Sequence, residues 1–176
     1  IGESPVSEKY LESKNFSPKD ILVPLDLYMC EDCGCVQLIH VVNPDYLWKN
    51  FTFKTSRNPK FQDHYETYVL NVIKFAKFTD KQFILDIGSN DGTLLKIFKD
   101  NGYKKILGID PVKEIAEEAT NNGIQTIPEY MNIKNSKFIK DKFGIPNLIT
   151  ANNVFAHIDD MDEITDSIIS ILDKNG

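Results

Sequence analysis

Apolar residues recur in two alternating rhythms over residues 60–174, and together they predict a layered α/β arrangement. The run Phe83-Ile84-Leu85 is short and continuous, which suits a strand buried on both faces. Leu94, Leu95, Ile97 and Phe98 then fall at helical spacing. The exchange repeats as a strand over 105–111, a helix over 112–121 carrying Ile115 and Ala116, and a short strand over 123–128. Phe138, Ile139 and Phe143 mark another helix, and residues 147–152 a fourth strand. A helix over 160–174 should bury Met161, Ile164, Ile168 and Ile171. Ahead of all these, Phe61, Tyr65, Tyr68, Val69, Val72, Ile73 and Ala76 hold a helical period over about 60–78, with His64 pointing off the stripe. Strand and helix in strict alternation imply a doubly wound, Rossmann-like parallel sheet.

The first third follows another pattern. Residues 1–20 are polar, with Tyr10, Leu11 and Phe16 as the apolar anchors, and read as an irregular arm. Alternation of Leu25, Leu27 and Met29 predicts a strand over 21–29 with one buried face. A second strand is expected over 36–42, followed by a turn at Asn43-Pro44-Asp45. An aromatic stretch containing Trp48, Phe51 and Phe53 then leads into a linker at Arg57-Asn58-Pro59. Those aromatics either pack a small domain onto a large one or line a cleft between them. The expected division is a module over 1–56 and a larger domain over 57–176.

Between the two predicted N-terminal strands lies Cys30-Glu31-Asp32-Cys33-Gly34-Cys35. Cys30-x-x-Cys33 followed by glycine is one knuckle of a zinc ribbon, since a tight turn brings two thiolates to one side. A structural zinc takes four ligands, and this knuckle supplies two. Cys35 and His40 are poorly spaced to join them, so the other ligands are expected upstream of Ile1. A redox pair would favour a strand-to-helix junction, and a disulfide an oxidising compartment. Plain buried thiols are the remaining alternative.

Hydrophobic content of 41% and charged content of 26% are those of an ordinary globular chain. A formal net charge of −6 argues against a nonspecific nucleic-acid surface. No apolar run is long enough to span a bilayer and no signal peptide is visible, so a cytoplasmic location is expected.

Candidate chemistry concentrates after the first strand of the larger domain. Asp86-x-Gly88-Ser89-Asn90-Asp91-Gly92 joins that strand to a helix, and a helix N-terminus offers free N–H groups and partial positive charge. It lacks the G-x-G-x-x-G of a dinucleotide site. It resembles motif I of the class I methyltransferases that use S-adenosylmethionine. On that reading Asp86 lies near the methionine ammonium, and Gly88, Ser89, Asn90 and Gly92 form the cofactor loop. Glycines there would let the backbone approach the ligand without a Cβ, and Ser89, Asn90 or Asp91 could cap the helix. Asp110 ends the second strand, where a carboxylate can accept both ribose hydroxyls; the alternative is a cap for the helix that follows. Tyr130 and Met131 are candidates to stack on adenine. Asn152, Asn153 and His157 follow the fourth strand, at the end where ligands of such sheets bind.

Cys30-x-x-Cys33-Gly34-x-Val36-Gln37-Leu38, the Asp86–Gly92 loop and Asn152-Asn153-Val154-Phe155-Ala156-His157-Ile158 together resemble the S-adenosylmethionine-dependent sugar C-methyltransferases of deoxysugar biosynthesis. The resemblance implies a structural zinc on Cys30 and Cys33, S-adenosylmethionine as cofactor and a nucleotide-linked keto sugar as substrate. It also implies further strands and a carboxy-terminal domain, so the chain reads as a fragment whose sheet stops before its last strands. Family members usually carry tyrosines in the aromatic segment, where this chain has Phe51 and Phe53. The implied chemistry is deprotonation beside a ketone, with His157 as base or hydrogen-bond donor to the enolate; its alternative role is to cap the last helix. A methyltransferase acting on oxygen or nitrogen, or a non-catalytic cofactor-binding scaffold, stays open.

Overall fold

A computed structural model of the protein describes residues 2–6, 22–48, 51–77, 79 and 81–176. The chain divides into two compact units, Ile1–Phe51 and Thr52–Gly176. Residues 52–56 therefore fold with the second unit instead of closing the first.

In the first unit β1 (Glu3–Pro5) pairs antiparallel with β2 (Leu22–Pro24), and β3 (Leu27–Met29) with β4 (Val36–Leu38). Part of the expected arm is thus a strand, while Tyr10, Leu11 and Phe16 lie outside the described residues. The single strand expected over 21–29 is two, interrupted where the Leu25 N–H donates to the Gly2 carbonyl at 2.8 Å. Its alternation does not mark a buried face: Leu27 and Met29 are 57% and 66% exposed. The turn expected at Asn43 opens a helix, α1 (Pro44–Trp48). Asn43 Oδ1 accepts the Asp45 N–H at 2.9 Å, and Pro44 fits a first helical position that needs no donor.

The second unit begins with an extended stretch and a 3-10 turn, Thr55–Arg57, leading into α2 (Pro59–Ala76). Asn58 caps α2 through its side chain, which accepts the Lys60 N–H at 3.0 Å. Then follow β5 (Phe83–Ile87), α3 (Thr93–Asp100), β6 (Lys105–Ile109), α4 (Lys113–Asn121), β7 (Thr126–Ile127), α5 (Ile133–Phe143), β8 (Leu148–Ala151) and α6 (Met161–Ile171). The four strands pair in parallel in the order β7-β6-β5-β8. Chain order reverses beside β5, and such a switch point opens a crevice at the carboxyl ends of the strands.

Successive β5 side chains feed opposite faces of the sheet. Ile84 joins Val69 of α2 and Leu94, Leu95 and Phe98 of α3 on one face. Phe83, Leu85 and Ile87 join Ile139 of α5 and Ile171 of α6 on the other. Leu95 and Phe98 are fully buried, each contributing roughly 1.5–3 kcal/mol. One row across the sheet breaks the aliphatic pattern: Thr126, Gly108, Asp86 and Thr150 stand side by side. No helix among the described residues is long and apolar enough to cross a membrane.

Candidate functional site

The loop after β5 is bound to the neighbouring strand before it turns. Gly88 and Ser89 donate their N–H groups to the Ile109 carbonyl at 2.8 and 3.3 Å, and Gly92 N–H donates to Ser89 O at 3.0 Å. The N-cap of α3 is Gly92, so none of Ser89, Asn90 and Asp91 holds that position; Asp91, one residue earlier, makes an Asx-type contact in which its Oδ1 accepts the Thr93 N–H at 3.2 Å and hydroxyl at 2.6 Å. Both glycines have left-handed backbones, with φ of 67° at Gly88 and 77° at Gly92. Close approach is indeed what they permit, but the visible neighbours are protein. A Cβ on Gly88 would lie 2.5 Å from Val154 Cγ2, and one on Gly92 2.8 Å from Ile124 Cγ2. The segment after β8 therefore folds directly over the glycine loop.

Asp86 sits in the polar row, 3% exposed, with its Oδ1 accepting the Thr150 hydroxyl at 2.6 Å. Burial raises its pKa to about 7; the Thr150 bond opposes this and the charge of Asp110 adds to it. Asp110, 5% exposed at the end of β6, accepts the Asn90 N–H on Oδ2 at 2.8 Å and the Val112 N–H on Oδ1 at 2.9 Å. Burial raises its pKa against the opposing effect of those two bonds. The Val112 bond is the local, cap-like role, yet each carboxylate oxygen keeps a further lone pair for a ligand hydroxyl.

Two buried polar atoms at this end of the sheet have no partner among the described residues, Ser89 Oγ and Asn152 Nδ2. Ser89 Oγ occupies the room left by the absent side chain of Gly108. Asn152 directly follows β8, and its orphaned donor is the kind that a bound molecule satisfies. Asn153 follows with φ 56° and is exposed. His157 ends a 3-10 turn, Phe155–His157, with its ring exposed. It does not cap α6, because Asp160 does so by accepting the Glu163 N–H at 2.8 Å. Tyr130 follows β7 and its carbonyl accepts from Asn135 Nδ2 at 2.8 Å.

Asn90 is also tied to the segment before α2: its Oδ1 accepts the Thr55 N–H at 3.0 Å and its Nδ2 donates to the Phe53 carbonyl at 3.0 Å. Tyr65 packs against the core as its place in the helical stripe predicts, and burial followed by the nearby charges of Asp86, Tyr68 and Asp91 raises its phenol pKa. Neither the ties of Asn90 nor the raised phenol pKa has a local signal.

In the first unit Cys30 and Cys33 share the β3–β4 turn, which closes through Gly34 N–H to Cys30 O at 2.9 Å and Cys30 N–H to Cys35 O at 2.8 Å. Hydrogen bonds from the Cys33 amide, the Asp32 amide and the Cys33 thiol lower the Cys30 pKa, which suits a thiolate ligand. Among the described residues no group of three or more His, Cys, Asp and Glu gathers around a single point. His40 pairs instead with Asp26 at 3.4 Å. The knuckle thus fits half of a tetrahedral zinc site.

The chain matches two family models, "Putative zinc binding domain" over residues 1–48 and "Methyltransferase domain" over residues 61–176. Over all 176 of its residues it is 27% identical to the C-methyltransferase NovU of Streptomyces niveus, and it spans 42% of that protein's length. Its fold is similar to the plantazolicin methyltransferase BpumL, solved with S-adenosylhomocysteine and a pentazolic desmethyl analogue: TM-score 0.50, 22% identity, 65% of this chain and 43% of that one. It is also similar to an S-adenosylmethionine-dependent methyltransferase from Anabaena variabilis: TM-score 0.51, 20% identity, 63% of this chain and 48% of that one.

Proposed function

Because the chain belongs to the methyltransferase-domain family, we propose that it binds S-adenosylmethionine at the carboxyl ends of β5, β6 and β8 and directs methyl transfer to carbon. The observation carrying the cofactor half is Asp110: a buried carboxylate whose two oxygens are each fixed by one backbone N–H and each keep a lone pair. Such a group is oriented in advance for a pair of vicinal hydroxyls. The unpaired Asn152 Nδ2 at the end of β8 and the buried Asp86 fit the polar end of the same ligand.

Transfer to carbon is supported by the likeness to a C-methyltransferase and by His157 on the turn beyond β8. The acceptor we propose is a nucleotide-linked keto sugar. S-adenosylmethionine, when bound, supplies an electrophilic methyl group. The protein's own work is to hold the acceptor, take a proton from the carbon beside the ketone and stabilise the enolate oxygen. His157 is the residue proposed to accept that proton or to hydrogen-bond the oxygen, with Asn152 and Asn153 beside it. In the N-terminal unit Cys30 and Cys33 would hold a structural zinc with two further ligands.

The test is incubation of the protein with a panel of nucleotide keto sugars and methyl-labelled S-adenosylmethionine, followed by NMR of the product. Label on a ring carbon is expected. Label on oxygen or nitrogen would replace the carbon reading with another transfer.

A further inference from the structure

We infer that residues 53–56 form a strap that sets the Asp110 carboxylate through Asn90, which makes Asn90 a positioning residue for ribose recognition; the inference rests on the cofactor reading above. Asn90 is one of three non-glycine residues with positive φ among the described residues, at 49°, a region that asparagine tolerates better than most residues. In that conformation its backbone N–H points at Asp110 Oδ2, 2.8 Å away. Its side chain is held from outside the loop at both ends. Oδ1 accepts the Thr55 N–H at 3.0 Å and lies 3.4 Å from the Thr55 hydroxyl, and Nδ2 donates to the Phe53 carbonyl at 3.0 Å.

The strap is fastened beyond Asn90 as well. Asp91 Oδ2 accepts the Ser56 N–H at 2.9 Å, and against its burial the hydrogen bonds from Ser56 and Thr93 keep its pKa low, so that bond is charge-assisted. Lys54 ion-pairs with Glu118 on α4, the helix that begins just after Asp110. Thr55 itself is buried. Asp110 Oδ1 is fixed within its own turn by Val112, but the Oδ2 donor comes from another loop whose orientation the strap controls. A hydrogen-bonded line therefore runs from Phe53 and Thr55 through Asn90 to the carboxylate proposed to hold the ribose. Ordering the ribose and ordering the strap should then favour one another.

The experiment compares wild type, Asn90→Gly and Thr55→Pro. Glycine keeps the left-handed backbone and the N–H to Asp110 while removing the side-chain ties. Proline removes the Thr55 N–H without touching the loop. It suits the first residue of the 3-10 turn, because Lys54 before it is extended at φ −124°, ψ 128°. Calorimetry would measure S-adenosylhomocysteine and its 2′-deoxy analogue, and hydrogen exchange would follow the Thr55 and Ser56 amides. In wild type S-adenosylhomocysteine should slow both amides. Each variant should bind it about tenfold more weakly, the scale of a lost hydrogen bond to a charged group. The deoxy analogue should lose much less, so the preference for the hydroxyl narrows. Equal weakening of both ligands, or none, overturns the positioning role even if wild type binds well. Failure of wild type to bind S-adenosylhomocysteine would overturn the cofactor reading and this inference together.

Discussion

Asp86 in its buried row carries a sizeable pH-dependent free energy. The folded protein holds the Asp86 proton up to about pH 7, whereas an exposed aspartate releases it near 3.8. Between those values the folded state binds more protons than the unfolded state, so stability falls as pH rises. The gap of about three pH units, at about 1.4 kcal/mol each, comes to roughly 4 kcal/mol. Complete burial removes the solvent screening that would shrink it. Asp86→Asn keeps an oxygen to accept the Thr150 hydroxyl and abolishes the titration. Any constant cost of the amide, such as an unpaired Nδ2, is the same at every pH. The variant minus wild-type stability should therefore be flat below about pH 4, climb by roughly 4 kcal/mol towards pH 7, and flatten above it.

Urea unfolding from pH 3.5 to 8.5 would measure this, with far-UV circular dichroism as the probe. The only tryptophan, Trp48, lies in the first unit and reports on the wrong part of the chain. The long helices α2 to α6 all belong to the second unit. Asp110 titrates in the same direction as Asp86 and Asp91 in the opposite one, but both are present in either protein and largely cancel in the difference. A stability difference that does not change with pH would refute the reasoning, since it would mean that Asp86 ionises in the fold as it does in water.

If the ligand ammonium lies beside Asp86, binding S-adenosylhomocysteine near pH 7 should release a fraction of a proton. Binding heats that do not depend on buffer ionisation enthalpy would remove Asp86 from that role. Asp110→Ala should weaken S-adenosylhomocysteine by roughly 1.5–3 kcal/mol, read by calorimetry, and an unchanged affinity would remove the ribose assignment. His157→Asn should slow methyl transfer about 10²–10⁴-fold with cofactor affinity and melting temperature near wild type, because Asp160 is the cap of α6. An unchanged rate would take His157 out of the chemistry. Where two further ligands complete the site, metal analysis should find about one zinc per chain in the wild type and little after Cys30→Ser, while equal zinc in both would leave the knuckle without a ligand role.

The order of strands and helices in the second unit was legible because each strand is a short, mostly apolar run and each helix a separate stripe. That apolar periodicity is local and needs nothing from distant residues. The first unit was less legible for the same reason in reverse. Leu25, Leu27 and Met29 alternate as a half-buried strand should, yet Leu27 and Met29 face outward, so alternation alone did not identify a core. Asn43-Pro44 serves a turn and a helix start equally well, and only the chain beyond it decides. Candidate site residues divide along the same line. Asp86, Asp110 and Asn152 could be placed because strand ends in a parallel sheet converge on one edge. What each side chain does there depends on partners the local pattern does not contain. Thr150 is 64 residues from Asp86, and Thr55 is 35 from Asn90. A polar residue in a glycine loop reads as a ligand contact because its neighbours in sequence offer it nothing else. In the fold the Asn90 side chain also bonds residues 53 and 55, and its backbone N–H bonds Asp110, partners that no local pattern announces.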